Sequence, residues 1–236
     1  MWYNLLRDDN YRIGGCMKRI MEWVKEHKYC YSLLYLILYL LAFFLMEQIS
    51  EPQYLIHSNL DDKIPFNSYF LIFYVSWYIA FVGSLIFFMF YDKKDYQDLS
   101  FIMMNGTTLI FIIYFLFPNY TDLRFDLVPR NIFDQIVNLL WVIDTPTNVC
   151  PSLHVSISTA VMVAVWNSKK LKKNHPVWRI LIIVWQILIC ASTVFLKQHS
   201  IIDVFAGCLV TLLFSVICYK VNWRNMLGKT IFRSLL

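Results

Sequence analysis

Residues 201–219 read IIDVFAGCLVTLLFSVICY and contain a single charged residue, Asp203. About 20 mostly apolar residues are enough for an α-helix to cross the hydrocarbon core of a bilayer, so this stretch predicts a transmembrane helix. Five more apolar runs of near-spanning length precede it: Tyr29–Met46, Tyr69–Phe90, Leu99–Phe117, Ser152–Trp166 and Val177–Leu196. The sequence therefore predicts an all-α polytopic membrane protein, a bundle of six transmembrane helices.

The composition supports the same class. Hydrophobic residues make up 58% of the chain, charged residues make up 16%, and the mean hydropathy is +0.52. An ordinary soluble domain has about 25% charged residues, so a soluble globular class is excluded. No internal repeat divides the sequence, and we expect residues 1–236 to form one membrane domain.

Lysine and arginine residues are concentrated on alternate sides of the predicted spans. Of the 21 in the chain, all but four lie before the first span, around the loops after the second and fourth spans, or after the last span. The exceptions are Lys63, Arg124, Arg130 and Lys197. The positive-inside rule then predicts that both termini are cytoplasmic, and residues 1–28 are expected to be a cytoplasmic amphipathic segment. The net charge of +5 is thus a topology signal, and nucleic acid is not an expected partner.

Two loops on the other side deserve a functional interpretation. The loop Glu47–Ser68 is mildly acidic and is expected to frame an entrance. The loop Asn119–Pro151 is the longest connection, and residues Pro129–Trp141 within it have apolar side chains at helical spacing, which predicts a short interfacial helix. Its apolar face fits either simple packing or a lipid gate. Arg124 and Arg130 in this loop are either solvated or form a phosphate clamp.

Two histidine motifs stand at the non-cytoplasmic ends of spans. One is Pro-Ser-Leu-His at 151–154, and the other contains His199 and Asp203. Residues four apart share a helix face, so Asp203 can orient the His199 imidazole and make it a candidate nucleophile. His154 comes from another span and can act as a general acid. Ser152 and the free amides that follow it form a helix N-terminus, which suits an anion. The pair favours metal-free cleavage of a phosphoester.

These motifs resemble those of the type-2 phosphatidic acid phosphatase superfamily. That family has Lys-x6-Arg-Pro, Pro-Ser-Gly-His and Ser-Arg-x5-His-x3-Asp; the second corresponds here to residues 151–154 and the third to residues 192–203. The resemblance implies that His199 is the nucleophile that forms a phosphohistidine, that Asp203 is its partner and that His154 is the acid. It also implies that Ser152 binds the phosphate.

The sequence departs from the family pattern at three places. Thr193 replaces the arginine of the third motif, and Lys197 can substitute for it; Leu153 replaces the glycine of the second motif. The first motif is absent, although Arg124 and Arg130 lie in its region. The expected phosphate-binding residues are Ser152, Arg124, Lys197, Arg130 and Ser192. The Pro-Ser-Leu-His form resembles the branch that includes the inositol phosphorylceramide synthases, which are phosphotransferases.

The leading functional prediction is a metal-independent phosphatase acting on lipid phosphates or diphosphates at the outer membrane face. One alternative is a lipid headgroup phosphotransferase that uses the same phosphohistidine. Another is a lipid-binding, anion-binding or transport protein without enzymatic activity. We expect no metal and no cofactor; the expected partners are the lipid phosphate and membrane lipids. If the source is bacterial, the location is the cytoplasmic membrane, with the site on its outer side.

Overall fold

The computed structural model describes residue 18, residues 22–221, residues 223–227 and residue 229. The chain divides into two compact units, one formed by Met1–Ile37 with Trp223–Leu236 and the other by Leu38–Asn222. The predicted amphipathic segment 1–28 lies for the most part outside the described residues. Within its described end, the rings of Trp23 and His27 stack with centroids 4.2 Å apart.

The architecture is almost entirely helical. The helices are α1 (Leu34–Ile49), α2 (Leu71–Tyr91), α3 (Lys93–Leu116), α4 (Ile132–Ile143), α5 (Leu153–Asn167), α6 (Lys169–Asn174), α7 (Pro176–Phe195), α8 (Ile201–Lys220) and α9 (Trp223–Leu227). Short 3-10 turns lie at Lys28–Leu33, Asp61–Lys63 and Ser68–Phe70. Two short strands, β1 (Tyr54–Leu55) and β2 (Asn119–Tyr120), pair in parallel.

Five helical segments of the described chain are long and apolar enough to cross a membrane. They are Lys28–Ile49, Ser68–Tyr91, Lys93–Leu116, Pro176–Phe195 and Ile201–Lys220. The third begins before the predicted Leu99, because the Asp92 side chain caps the helix by accepting a hydrogen bond from the Asp95 backbone amide at 3.1 Å. Residues 93–98 are therefore helical although their charges are typical of a loop.

The fourth predicted span corresponds to α5, which has only 15 residues. This helix packs against α2, α3, α7 and α8. Every residue from Leu153 to Val161 is buried. A helix surrounded by other helices presents little surface to lipid, and its polar residues can pair with its neighbours.

Close contact between α5 and α8 joins the two histidine motifs. A Cβ atom at Gly207 would lie 2.7 Å from the backbone oxygen of Ser152, so only glycine lets the helices approach this closely. One turn further along α8, the Thr211 hydroxyl donates to the Ser156 carbonyl at 2.7 Å. The α5–α8 contact thus places the start of α5 beside the start of α8.

The long loop before α5 is ordered around Asn119, which is buried. Its side-chain oxygen accepts hydrogen bonds from the backbone amides of Val149 and Cys150 at 2.9 and 2.8 Å. Its side-chain nitrogen donates to the Cys150 carbonyl at 2.9 Å. The segment that leads into the first histidine motif is therefore fixed by the strand that carries Asn119.

The helix expected over Pro129–Trp141 is present as α4, Ile132–Ile143. Asn131 caps it by accepting a hydrogen bond from the Asp134 amide at 3.0 Å. One side of α4 packs through Val137 against Leu71 and Leu196. The packing interpretation is therefore correct for this side of the helix.

Candidate active site

The start of α8 positions the candidate nucleophile. Ser200 is the N-cap, and Ser200 and Asp203 form a capping box in which the Ser200 backbone amide donates to Asp203 Oδ2 at 2.8 Å. The same oxygen lies 3.3 Å from His199 Nδ1. Both side chains are buried. With Nδ1 directed at a carboxylate, the imidazole is oriented by the capping box of α8, the helix that begins two residues later, and its Nε2 is the nitrogen left for chemistry.

The start of α5 places the second histidine opposite the first. The His154 and His199 rings have centroids 5.7 Å apart. His154 also contacts Tyr74 and Trp77, whose ring centroids lie 4.5 and 4.2 Å away. Its Nε2 is buried and has no hydrogen-bond partner among the described residues. A buried ring nitrogen without a hydrogen-bond partner destabilises an ordinary protein core. At a reaction centre, the same nitrogen can exchange a proton with a substrate.

Ser152 links the two motifs directly. It is the N-cap of α5, and its hydroxyl accepts a hydrogen bond from the Val155 amide at 3.3 Å. Its own amide donates to the backbone oxygen of Asp203 at 3.1 Å. Since the first turn of α5 carries unpaired amides and the positive end of the helix dipole, an anion beside His154 is stabilised there.

Arg124 is the predicted basic residue that the structure brings toward the histidines. Its guanidinium donates to the carbonyls of Trp141 and Asp144 at 2.7 and 2.6 Å, and also to the side-chain oxygen of Gln198, the residue before His199. Its Nε is buried and has no partner within the described part of the chain. The carbonyl contacts fix the plane of the guanidinium and leave donors for a phosphate oxygen.

The other predicted phosphate ligands have different surroundings. Lys197 Nζ donates to the backbone oxygens of Asp61 and Ile64, both at 2.6 Å. The Ser192 hydroxyl donates to the Ile189 carbonyl of its own helix at 2.6 Å. Arg130 lines a separate cleft of about 390 Å³, whose lining contains none of the motif residues. The structure therefore does not present these three side chains to a group between the histidines.

Sequence reasoning missed Asp61, a residue of the acidic loop Glu47–Ser68 that contacts the start of α8 beside the candidate nucleophile. Its side chain is buried and accepts hydrogen bonds from the Ser200 hydroxyl at 2.6 Å and the Ile201 amide at 2.8 Å. The acidic character of the loop was visible in the sequence, but its contact with α8 is not local. Asp61 thus fixes the start of the helix that follows His199.

Cys150 also lies beside the His199–Asp203 pair. Burial, together with the Asp203 carboxylate, raises the pKa of the Cys150 thiol to about 12. The thiol therefore stays protonated at neutral pH. Among the described residues, no group of three or more His, Cys, Asp or Glu side chains is arranged to hold a metal ion.

The comparisons with known proteins concern this same part of the chain. Residues 118–227 match the PAP2 superfamily. This segment contains Arg124, both histidine motifs and Asp203, so the PAP2 match covers the whole histidine site except Asp61 and the aromatic residues of α2. The candidate site therefore lies within the PAP2-like part of the chain, which includes two helices long and apolar enough to span a membrane.

A curated relative is similar to this chain over a short stretch. Mouse sphingosine-1-phosphate phosphatase 1 is 35% identical over 71 residues. The match covers 29% of this chain and only 16% of the mouse protein. No solved structure matches the chain.

Proposed function

We propose that this protein is a metal-independent phosphatase for lipid phosphates or diphosphates, and that it works through a phosphohistidine on His199. The observation that carries the proposal is the buried His199–Asp203 pair facing His154, whose Nε2 is unpaired. The PAP2 match and the similarity to a lipid phosphate phosphatase support the reaction class. The proposed protein has six spans, with α5 as the fourth, and the site faces away from the cytoplasm.

In the first step, His199 Nε2 attacks phosphorus in line with the lipid oxygen. The N–P bond forms while the P–O bond to the lipid breaks, and protonated His154 gives its proton to the departing oxygen. The charge that develops on the imidazole is stabilised by Asp203. The lipid leaves as an alcohol, or as a lipid monophosphate when the substrate is a diphosphate.

In the second step, water attacks the phosphohistidine. His154 accepts a proton from the water, the N–P bond breaks, and inorganic phosphate is released. His154 is then protonated again and His199 is neutral, so the cycle closes. Throughout, the phosphoryl oxygens face Ser152, the first amides of α5 and Arg124.

Transfer is the second candidate, favoured by the Pro-Ser-Leu-His form of the second family motif at residues 151–154. It differs only in that an acceptor alcohol takes the place of water. A single assay separates the two: labelled phosphate from a lipid substrate appears as inorganic phosphate after hydrolysis and on the alcohol after transfer. The substrate panel should include a phosphorylated sphingoid base, since the mouse relative is named for one.

The test of the mechanism is to trap the intermediate. Protein in lipid nanodiscs is mixed with ³²P-labelled lipid phosphate in EDTA and denatured at alkaline pH, where an N–P bond survives. We expect label on the wild-type protein and none on His199→Ala. The matched control is His175→Ala, which removes an exposed histidine outside the motifs and should label normally. Full turnover by His199→Ala, or activity that requires a divalent ion, would contradict the proposal.

A further inference from the structure

The face of α4 opposite Val137 is apolar and exposed. Six side chains of the helix are exposed. Ile132, Ile136, Leu139 and Ile143 form an apolar stripe at helical spacing, and Val142 and the polar Gln135 lie beside it. Leu139 is 59% exposed and Ile143 is 68% exposed. The opposite side packs through Val137 into the core, so the stripe is not needed for the fold of this region. A continuous apolar surface of this kind marks an interaction site.

The position of α4 identifies what covers the stripe. The helix packs against Leu196, which directly follows the candidate span Pro176–Phe195. Phe133 on α4 contacts Tyr69, at the beginning of the span Ser68–Tyr91, with ring centroids 5.1 Å apart. One span begins beside α4 and the other ends beside it, so this helix lies at the level of the membrane boundary. Aromatic residues such as Phe133 and Tyr69 are enriched at that level.

The composition of α4 specifies the kind of surface it fits. Its sequence, IFDQIVNLLWVI, has no lysine or arginine and a single acid, Asp134. The helix itself therefore has no cation to attract anionic headgroups, and burial of its apolar side chains is what favours binding. The matching surface is the boundary between headgroups and acyl chains in a neutral lipid leaflet.

The C-terminal end of α4 binds two residues of the histidine site, Arg124 and Tyr74. The carbonyls of Trp141 and Asp144 fix Arg124 at 2.7 and 2.6 Å. The Asp144 carboxylate accepts a hydrogen bond from the Tyr74 hydroxyl, and the Tyr74 ring stacks on His154. A displacement of α4 would therefore move Arg124 and loosen the aromatic support of His154.

We propose that the Ile132–Ile143 stripe inserts into the lipid leaflet on the side of the active site, and that this insertion holds Arg124 in its phosphate-binding position. The lipid surface then acts as a structural partner of the site, separate from the lipid that is cleaved. The effect on activity rests on the proposed function, whereas the lipid contact itself does not.

The contact is tested by photo-crosslinking in nanodiscs made only of phosphatidylcholine. The variant Leu139→p-benzoylphenylalanine should form protein–lipid adducts detected by mass spectrometry. The same group at Glu51, an exposed position on the first non-cytoplasmic loop, should form few. Adducts with a second copy of the chain in place of lipid, or equal lipid adducts at both positions, would overturn the insertion.

The coupling is tested with a soluble phosphate ester, whose own partition into lipid plays no part. Leu139→Asp adds a charge to the stripe, and Gln135→Asp adds the same charge at an exposed polar position of the same helix. Loss of one hydrogen bond to a charged group should lower kcat/KM about 10- to 150-fold. Leu139→Asp should therefore lower kcat/KM by up to that factor. Gln135→Asp and Leu139→Phe should remain within about twofold of wild type.

Two results would overturn the coupling. One is Leu139→Asp matching Gln135→Asp in nanodiscs. The other is a loss in Leu139→Asp that is equally large in detergent micelles and accompanied by a lower Tm than Gln135→Asp, since that pattern belongs to a folding defect. If wild type itself fails to cleave any phosphate, the proposed function fails while the crosslinking result still stands.

Discussion

His154 and His199 differ in what surrounds their rings, and the proposed roles follow from this difference. His199 has a carboxylate at 3.3 Å from Nδ1. His154 lies between aromatic rings, with centroids 4.5 and 4.2 Å away, and its Nε2 is unpaired among the described residues. A ring paired with a carboxylate can carry positive charge after attack, whereas a ring nitrogen that has no protein partner can exchange a proton with the substrate. The proposed nucleophile and the proposed acid thus have different environments.

The acid role of His154 predicts a dependence on the leaving group. General acid catalysis contributes about 10²–10⁴-fold when the departing oxygen needs a proton. His154→Ala should therefore lose that factor on an alkyl phosphate and much less on a nitrophenyl phosphate. The measurement is kcat/KM for both esters. An equal loss on the two substrates would rule out proton donation to the leaving group.

The different surroundings of the two loop arginines predict unequal effects of their removal. Arg124 is held beside Gln198, and Arg130 lines another cleft. Each charged hydrogen bond is worth about 1.5–3 kcal/mol, so Arg124→Ala should lower kcat/KM about 10- to 150-fold. Arg130→Ala serves as the control and should stay within about twofold. The assay is phosphate release from one lipid phosphate, and the reverse ranking of the variants would refute the clamp.

At the scale of elements, two residues position the starts of α5 and α8. They are Gly207 and Asp61. Gly207 lets the α5 backbone come close, and Asp61 holds the beginning of α8 through Ser200 and Ile201. Neither residue reaches the reacting atoms. Both instead fix the two helix starts from which the histidines project.

Gly207→Ala should destabilise the protein. The new methyl group would meet Ser152 backbone oxygen at 2.7 Å and the Val155 Cβ at 3.2 Å, so the helices must separate. Overpacking of this kind costs about 1–3 kcal/mol. Gly83→Ala on α2 is the matched control, since nothing lies within 4 Å of its added Cβ, and it should be neutral or slightly stabilising. Thermal unfolding of both variants in one detergent gives the comparison.

Asp61→Ala should also lower stability, because it leaves the Ser200 hydroxyl and the Ile201 amide buried without their acceptor. Each such unsatisfied group costs about 1–3 kcal/mol. Asp61→Asn preserves the shape and an acceptor oxygen, so its loss should be smaller. Asp62→Ala changes a neighbouring acid whose side chain is 65% exposed and should have little effect on Tm. Equal Tm values for the two alanine variants would contradict the capping role.

The parts of the site that the sequence revealed are those with local causes. The four-residue spacing of His199 and Asp203 predicts their contact, although His199 lies just before the N-cap of α8 and not on the helix. Asp61 could not be found in this way, because its partner Ser200 is 139 positions away. Lys197 was predicted as a phosphate ligand from charge and proximity, but backbone carbonyls of a distant loop bind its ammonium group. The sequence shows which side chains carry charge, whereas only the folded structure shows which acceptors they bind.

At the scale of the whole chain, the unequal distribution of basic residues predicts its orientation. The loop around α6 should be cytoplasmic, and the loop before α4 should face the opposite side. In intact cells, a membrane-impermeant maleimide should label Val128→Cys, at a position that is 76% exposed, and should not label Lys173→Cys. The wild-type chain, with its own cysteines, provides the background. Labelling of Lys173→Cys alone would reverse the proposed topology.

The hydrogen bonds between Asp61 and the start of α8 impose an order on biosynthesis. The ribosome makes the Asp61 loop long before Ser200, and in the proposed orientation the loop crosses the bilayer before its partners exist. Until the last span has been inserted, this carboxylate lacks the donors that make its burial tolerable, and it must stay in water. Closure of the loop over the nucleophile is therefore a late event of membrane integration, and a chain truncated before α8 cannot complete it.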